Sequence, residues 1–473
     1  MLFNSLEYLI FLPIVFLLYW FVFRSLKWQN AFVVVASYLF YGWWNWRFLL
    51  LIFMTTFASY LSGVFIERWC NRAKVICGVN IVLNLGILCI YKYYNFFASQ
   101  LAMLLGVETD AFMLHLVLPV GISFYTFQAL SYSIDVCRAK IEPTCNFVAF
   151  AAFISFFPQL VAGPIERATN LLPQFLRYRT FDYVQASDGM RQILWGFFKK
   201  MVVADTCAET ANYVFAEFQH QQFSSLFLVV GAVAFAFQIY GDFSGYSDIA
   251  IGTAKLFGIR LRQNFSVPYF SRSVAEFWRR WHISLNTWFV DYVYIPLGGS
   301  RCGRIKMIRN TFVIFLLSGL WHGANWTFVA WGAYHAMLFV PLVLMRTNRK
   351  YLDVVAQNAL LPSVREMGQM MLTFVLVVVG WIFFRAESIG DAFSFLHQML
   401  ACVNVSHPLG RHIYGLLWAL LMLFVEWCTR CKEHALNYVP ISSPILRLIV
   451  YVAIMVVIIV CRGQQQEFIY FQF

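Results

Sequence analysis

Leu226-Phe-Leu-Val-Val-Gly-Ala-Val-Ala-Phe-Ala-Phe-Gln-Ile-Tyr240 holds no charged residue. A stretch this apolar cannot be one strand of a water-facing sheet, and in a soluble helix it would need burial on every side. Comparable apolar runs recur at Tyr8 to Phe23, Val75 to Ile90, Met367 to Phe384 and Ile445 to Cys461. Each approaches the length of about 20 residues that crosses a bilayer as a helix. The 473-residue chain is 61% hydrophobic and 12% charged, against roughly 25% charged in soluble domains. Its apolar side chains exceed what a water-covered core can hold. The chain reads as an integral membrane protein.

Working outward from these runs, charge supplies a topology. The balance of 35 basic to 23 acidic residues gives +12, and in a membrane protein that excess marks cytoplasmic connections and contact with anionic lipid, with no call for nucleic acid. Arg24 with Lys27, Arg68 with Arg72 and Lys74, and Arg138 with Lys140 share the inner side, and the connection around Glu108 and Asp110 lies outside. Phe147 to Gly163 is flanked by basic residues at both ends and interrupted by Pro158 and Gly163. It is expected to re-enter the membrane without crossing. From Lys255 to Arg309 there are ten Lys or Arg and two acids, interleaved with aromatics, which suits segments at the cytoplasmic interface. The first apolar run lacks a basic leader and a small-residue cleavage site, so it is expected to be retained as the first helix. No repeat or linker divides the chain, and 1–473 reads as one membrane domain with a basic interfacial region at about 242–310.

Phosphate-loop, dinucleotide, serine-elbow and HExxH signatures are absent, and Cys428 with Cys431 is the only CxxC, with no second pair to complete a zinc site. What remains are polar residues within apolar segments, where an ionisable group is a functional candidate by default. His322 sits in Trp321-His-Gly-Ala-Asn-Trp326, inside the apolar run Thr311 to Leu344. An imidazole kept neutral by burial suits a general base for a hydroxyl, and equally a core histidine bonded to a carbonyl. Asn325 either orients that ring or serves helix packing. His282, in Arg279-Arg-Trp-His-Ile-Ser-Leu-Asn286, is a partner for His322, an oxyanion stabiliser or an interfacial histidine, with Asp291 nine residues on. Asp242 and Ser244, in Tyr240-Gly-Asp-Phe-Ser-Gly-Tyr-Ser-Asp248, either line the way to a buried cavity or cap a helix end. Arg279 and Arg280 suit the phosphates of an anionic donor, or topology alone.

Together with Pro119-Val-Gly-Ile-Ser-Phe-Tyr-Thr-Phe127, Phe157-Pro-Gln-Leu-Val-Ala-Gly-Pro164, Tyr294-Ile-Pro-Leu-Gly-Gly299 and the ending Phe468-Ile-Tyr-Phe-Gln-Phe473, these motifs resemble the membrane-bound O-acyltransferase family. The resemblance is closest to its bacterial branch of alginate O-acetyltransferases and D-alanyl transfer proteins of lipoteichoic acid. It implies an all-α polytopic fold of about eleven transmembrane helices plus re-entrant segments around a tunnel, with His322 catalytic and His282 beside the tunnel. It further implies no permanently bound cofactor and no metal. The donor would be a cytoplasmic acyl thioester, acetyl-coenzyme A or a phosphopantetheine carrier protein. The acceptor would be a hydroxyl of an extracytoplasmic polysaccharide or cell-wall glycan, reached directly or through a partner transferase, and the location the bacterial cytoplasmic (inner) membrane. D-alanyl transfer is the alternative within the family. A non-enzymatic transporter of an acylated intermediate is the alternative outside it, without the paired inverted halves common in transporters.

Overall fold

The computed structural model describes residues 1–108, 112–161, 163–401, 410–437 and 443–471, so Asp110 and the last two residues of the Phe468 motif lie outside the described residues. Every regular element among them is helical. Hydrocarbon offers a backbone amide no partner outside its own segment, and the helix answers that within each turn. Contacts divide the chain into two units, Met1–Met190 with Ala250–Arg262, and Arg191–Ile249 with Gln263–Phe473.

The first unit holds α1 (Leu6–Leu17), α2 (Leu26–Gly42), α3 (Phe48–Arg68), α4 (Ala73–Leu88), α5 (Tyr94–Leu105), α6 (Ile122–Cys137), α7 (Phe147–Ser155), α8 (Phe157–Leu160), α9 (Ala168–Leu176) and the start of α10 (Tyr183–Phe197). Its long helices are joined by short polar side chains. Asn80 Nδ2 donates to Ser133 Oγ at 2.7 Å, and the Ser62 and Ser133 hydroxyls lie 2.6 Å apart. Between helices in lipid such bonds replace the hydrophobic drive that water would supply. The segment from Phe147 is a nine-residue helix, then a break at Phe156 and a four-residue helix. At 1.5 Å per residue, α7 is about 14 Å long, under half of the hydrocarbon thickness.

The second unit contains the rest of α10, α11 (Asp205–Glu217), most of α12 (Ser225–Leu256), α13 (Val274–Arg280), α14 (Ile283–Phe289), α15 (Arg304–His322), α16 (Trp326–Leu344), α17 (Val364–Arg385), α18 (Ile389–Leu400), α19 (Tyr414–Cys428) and α20 (Pro444–Val460). Among the described residues of the whole chain, five helical stretches are long and apolar enough to cross a membrane: α3, the continuous run Cys70–Leu105, α12, α16 and α17. Three shorter apolar ones run Leu6–Val22, Tyr414–Cys428 and Pro444–Val460. The helix α12 is 83% buried over its apolar window, against 39% for α3, α16 and α17, so its side chains face protein nearly all round.

One sequence reading changes here. The motif Tyr240 to Asp248 is no helix end: α12 runs 32 residues straight through it, because its two glycines and two serines cost a buried, closely packed helix little. The apolar run Thr311 to Leu344 forms the hairpin α15–α16, broken at Gly323 and Asn325. The hairpin packs backbone to backbone. A Cβ on Gly319 would collide with the Phe328 carbonyl oxygen, and one on Gly332 with the Phe315 carbonyl, whose carbon would lie 3.0 Å away. Gly332→Leu should therefore prise the hairpin apart and lower the melting midpoint in detergent by about 5 °C or more. Gly368→Leu, with open space around that position, should leave the midpoint unchanged in the same fluorescence size-exclusion assay.

Candidate functional site

The hairpin turn places His322. It is the last residue of α15, and the chain reverses at once because Asn325 caps α16, its Oδ1 accepting from the Thr327 amide at 3.1 Å while Nδ2 donates to the Glu387 carbonyl at 3.1 Å. Gly323 is required beside it, since a Cβ there would strike the Phe328 ring. Asn325 thus holds the turn that carries the histidine and does not bond to its ring. The His322 ring is buried among Trp321, Trp331, Phe384 and Tyr470, with ring centres 5.1, 5.2, 5.3 and 5.4 Å away.

His282 joins α13 to α14 with φ 45° and ψ 53°. A non-glycine residue in this left-handed region costs on the order of 1 kcal/mol and persists only where its surroundings fix it. Asn264 fixes it. The Asn264 carbonyl accepts from the Ile283 amide at 2.9 Å, and its side-chain Oδ1 accepts from the Ser284 amide at 3.3 Å and the Ser284 hydroxyl at 2.9 Å. The same Oδ1 lies 3.1 Å from His282 Nδ1. Because a backbone amide can only donate, the atom facing Ser284 is the oxygen, and His282 Nδ1 must carry the hydrogen. Nε2 is left with its lone pair, buried and with no hydrogen-bond partner among the described residues. Burial holds the imidazole neutral, pushing its pKa down to about 3.

The two histidines come together. Their ring centres lie 6.5 Å apart, and each also faces Tyr470, 5.4 Å from His322 and 6.4 Å from His282. Phe243, from the centre of α12, meets His282 edge-on at 4.7 Å. Of the α12 motif it is therefore the phenylalanine that reaches the pair. Asp242 turns instead to Lys200, 2.8 Å away, and Ser244 is buried with its hydroxyl unpaired among the described residues. Asp291 lies in a π turn beyond α14 and is half-buried. Arg279 donates to the Asn348 and Tyr351 carbonyls at 2.5 and 2.6 Å. Arg280 bonds Glu276 at 3.0 and 3.1 Å, and the Ser266 and Asp353 carbonyls. The guanidinium groups expected to hold an anionic donor are taken up in tying the α13 turn to neighbouring loops. Among the described residues no group of three His, Cys, Asp or Glu side chains is placed to hold a metal ion.

Three participants escaped the sequence reading: Asn264, Tyr470 and Lys200. The lysine had a signal, since Lys199 and Lys200 stand inside the apolar stretch Ile193 to Val203, and intramembrane charge is itself a functional marker. Asn264 had none.

A buried imidazole with a free lone pair, a second one beside it and an aromatic surround that excludes water can move a proton from a hydroxyl without competing hydrolysis. Comparison with known proteins agrees with that chemistry. The chain is 40% identical over 440 residues to the probable alginate O-acetylase AlgI of Pseudomonas putida, covering 89% of this chain and 86% of that one. It is 32% identical over 439 residues to a peptidoglycan O-acetyltransferase of Helicobacter pylori, covering 86% and 81%. A teichoic acid D-alanyltransferase of Bacillus subtilis matches at 26% over 245 residues, 49% of this chain and 61% of that one. Residues 78–379 match the model of the membrane-bound O-acyltransferase family, and the chain belongs to that family.

Proposed function

We propose that this acyltransferase moves an acetyl group from a thioester donor on the cytoplasmic side of a bacterial inner membrane to a hydroxyl of an extracytoplasmic polysaccharide or cell-wall glycan, directly or through a partner transferase. The observation that carries the reading is the pair of buried imidazoles 6.5 Å apart in one aromatic enclosure. At that spacing, one acceptor sugar can hydrogen-bond both rings at about 2.8 Å. His322 takes the proton of the attacking hydroxyl as its oxygen bonds to the thioester carbonyl carbon. The carbon–sulfur bond breaks and the proton passes to the departing thiolate, leaving an ester and a thiol. His282, pinned by Asn264 as the Nδ1–H tautomer, cannot donate to an oxyanion. It accepts from a neighbouring hydroxyl of the acceptor and so orients it. Relatives named for O-acetylation match across more than four-fifths of this chain and the D-alanyltransferase across just under half, which favours acetyl over D-alanyl.

Membrane vesicles given isotopically labelled acetyl-coenzyme A should place the label in glycan, read by mass spectrometry. His322→Ala should reduce transfer by at least about 100-fold at unchanged protein level, and transfer near the parent rate would remove His322 from the mechanism. Asn264→Leu should lower kcat by about tenfold or more, by freeing the His282 tautomer. Asn264→Asp keeps the acceptor but sets a negative charge beside the ring, which favours imidazolium, so activity should fail at the acid end of the pH profile at a higher pH than in the parent.

The donor needs cations that are free to meet phosphate. Arg301 and Arg304 are exposed, whereas Arg279 and Arg280 are engaged with protein carbonyls. Charge reversal at Arg301 or Arg304 should raise the apparent KM for acetyl-coenzyme A and steepen its salt dependence. Reversal at Arg279 or Arg280 should first lower the amount of folded protein, measured in the same membranes.

A further inference from the structure

A buried ionic cluster lies beside the histidine pair, and the acyl-transfer chemistry leaves it unused. After α10 the helix continues through a π turn, Phe198–Ala204, into α11. Lys200, on that turn, is 1% exposed. Its ammonium meets Asp205 Oδ1 at 2.9 Å, Asp242 Oδ1 at 2.8 Å and the backbone carbonyl of Gln466 at 3.0 Å, three acceptors for its three hydrogens. One cation is set against two buried carboxylates. The excess negative charge is met by a backbone amide, Ile469 N–H, which donates to the second oxygen of Asp242 at 2.7 Å. Both halves of the cluster are thus completed by one segment, Gly463–Phe471.

That segment is tied along the same helices. Gly463 N donates to the Met201 carbonyl at 3.0 Å and Gln464 N to Glu209 Oε1 at 3.1 Å. At Gly463 a Cβ would come within 2.5 Å of the Asp205 carbonyl carbon, so the segment lies directly on the α11 backbone. Beyond the ties, Phe468 packs on Tyr246 at 4.5 Å, and Tyr470 lies 4.5 Å from Phe243 and 5.4 Å from His322.

Replacing a buried ion group with apolar side chains is often neutral or stabilising, so stability alone does not account for three charges here. Where buried ions have a demonstrated use, it is in fixing register. Register is what this segment lacks by itself. Phe468, Tyr470 and Phe471 are interchangeable to a hydrophobic surface, and a slip of one or two residues would set a different ring against His322. We propose that Lys200, Asp205 and Asp242 are positioning residues, a clamp that fixes the register of Gly463–Phe471 and so presents Tyr470 to the histidine pair. The proposal rests on the acyltransferase reading of that pair.

The test removes the charges together, so that none is left unpaired, in Lys200→Met/Asp205→Leu/Asp242→Leu. This variant should reach normal abundance, with kcat for transfer from labelled acetyl-coenzyme A at least tenfold lower and KM within twofold of the parent. Tyr470→Ala should cost activity in the parent and nothing further in the triple variant. A second variant replaces the clamp by a covalent tie: Lys200→Met/Asp205→Leu with Asp242→Cys and Ile469→Cys should regain kcat when oxidised and lose it on reduction, with each single cysteine variant as control. A triple variant with the parent's kcat overturns the clamp, and so does a disulfide that restores protein level but not turnover. The disulfide is also read directly, by peptide mapping. Where the bond forms, the turnover of the oxidised variant decides for or against the clamp, and the triple variant decides independently of it, while a parent chain that transfers no acetyl group would instead refute the acyltransferase reading.

Discussion

A charge or amide withdrawn from water into hydrocarbon must find its partner within the protein. That constraint makes every described element a helix. It puts Asn80, Ser62 and Ser133 opposite one another, and it gathers Lys200, Asp205 and Asp242 at one point. The same constraint makes the histidine pair useful. The His322 ring is buried among Trp321, Trp331, Phe384 and Tyr470, a setting that disfavours the charged imidazolium.

How much of this was legible depended on the range of the interaction. Hydropathy is a local property, and the apolar runs fall within helices: Met367 to Phe384 lies inside α17, and Leu226 to Tyr240 inside α12. The family was legible because long motifs recur in order. Composition does not mark a turn within an apolar run. Thr311 to Leu344 is apolar nearly throughout, yet the capping side chain of Asn325 divides it into two helices, and that turn is what leaves His322 at a helix end.

Partner identity was not legible at all. Asn264 holds His282 across 18 positions and a left-handed backbone, and neither periodicity nor composition encodes such a bond. The charges of Arg279 and Arg280 can be counted in a sequence, whereas the carbonyls of Asn348, Tyr351 and Asp353 that they bond cannot. Asp242 was singled out as a lining or capping residue, and its partners, Lys200 and Ile469, lie at positions no spacing rule connects to it.

The bond between Lys200 and Gln466 spans 266 positions, and this has a consequence for biogenesis. At 5 to 20 residues per second, the ribosome takes roughly 10–50 s to make the stretch between them. Throughout that interval the second lysine of Phe-Lys-Lys-Met lacks its carbonyl and Asp242 lacks its amide. Until then Lys200 has only Asp205 and Asp242 as partners, and the excess negative charge of the cluster goes without its amide. The enclosure around the histidine pair is therefore completed only when Gly463–Phe471 has emerged, after α1 to α20 have been made.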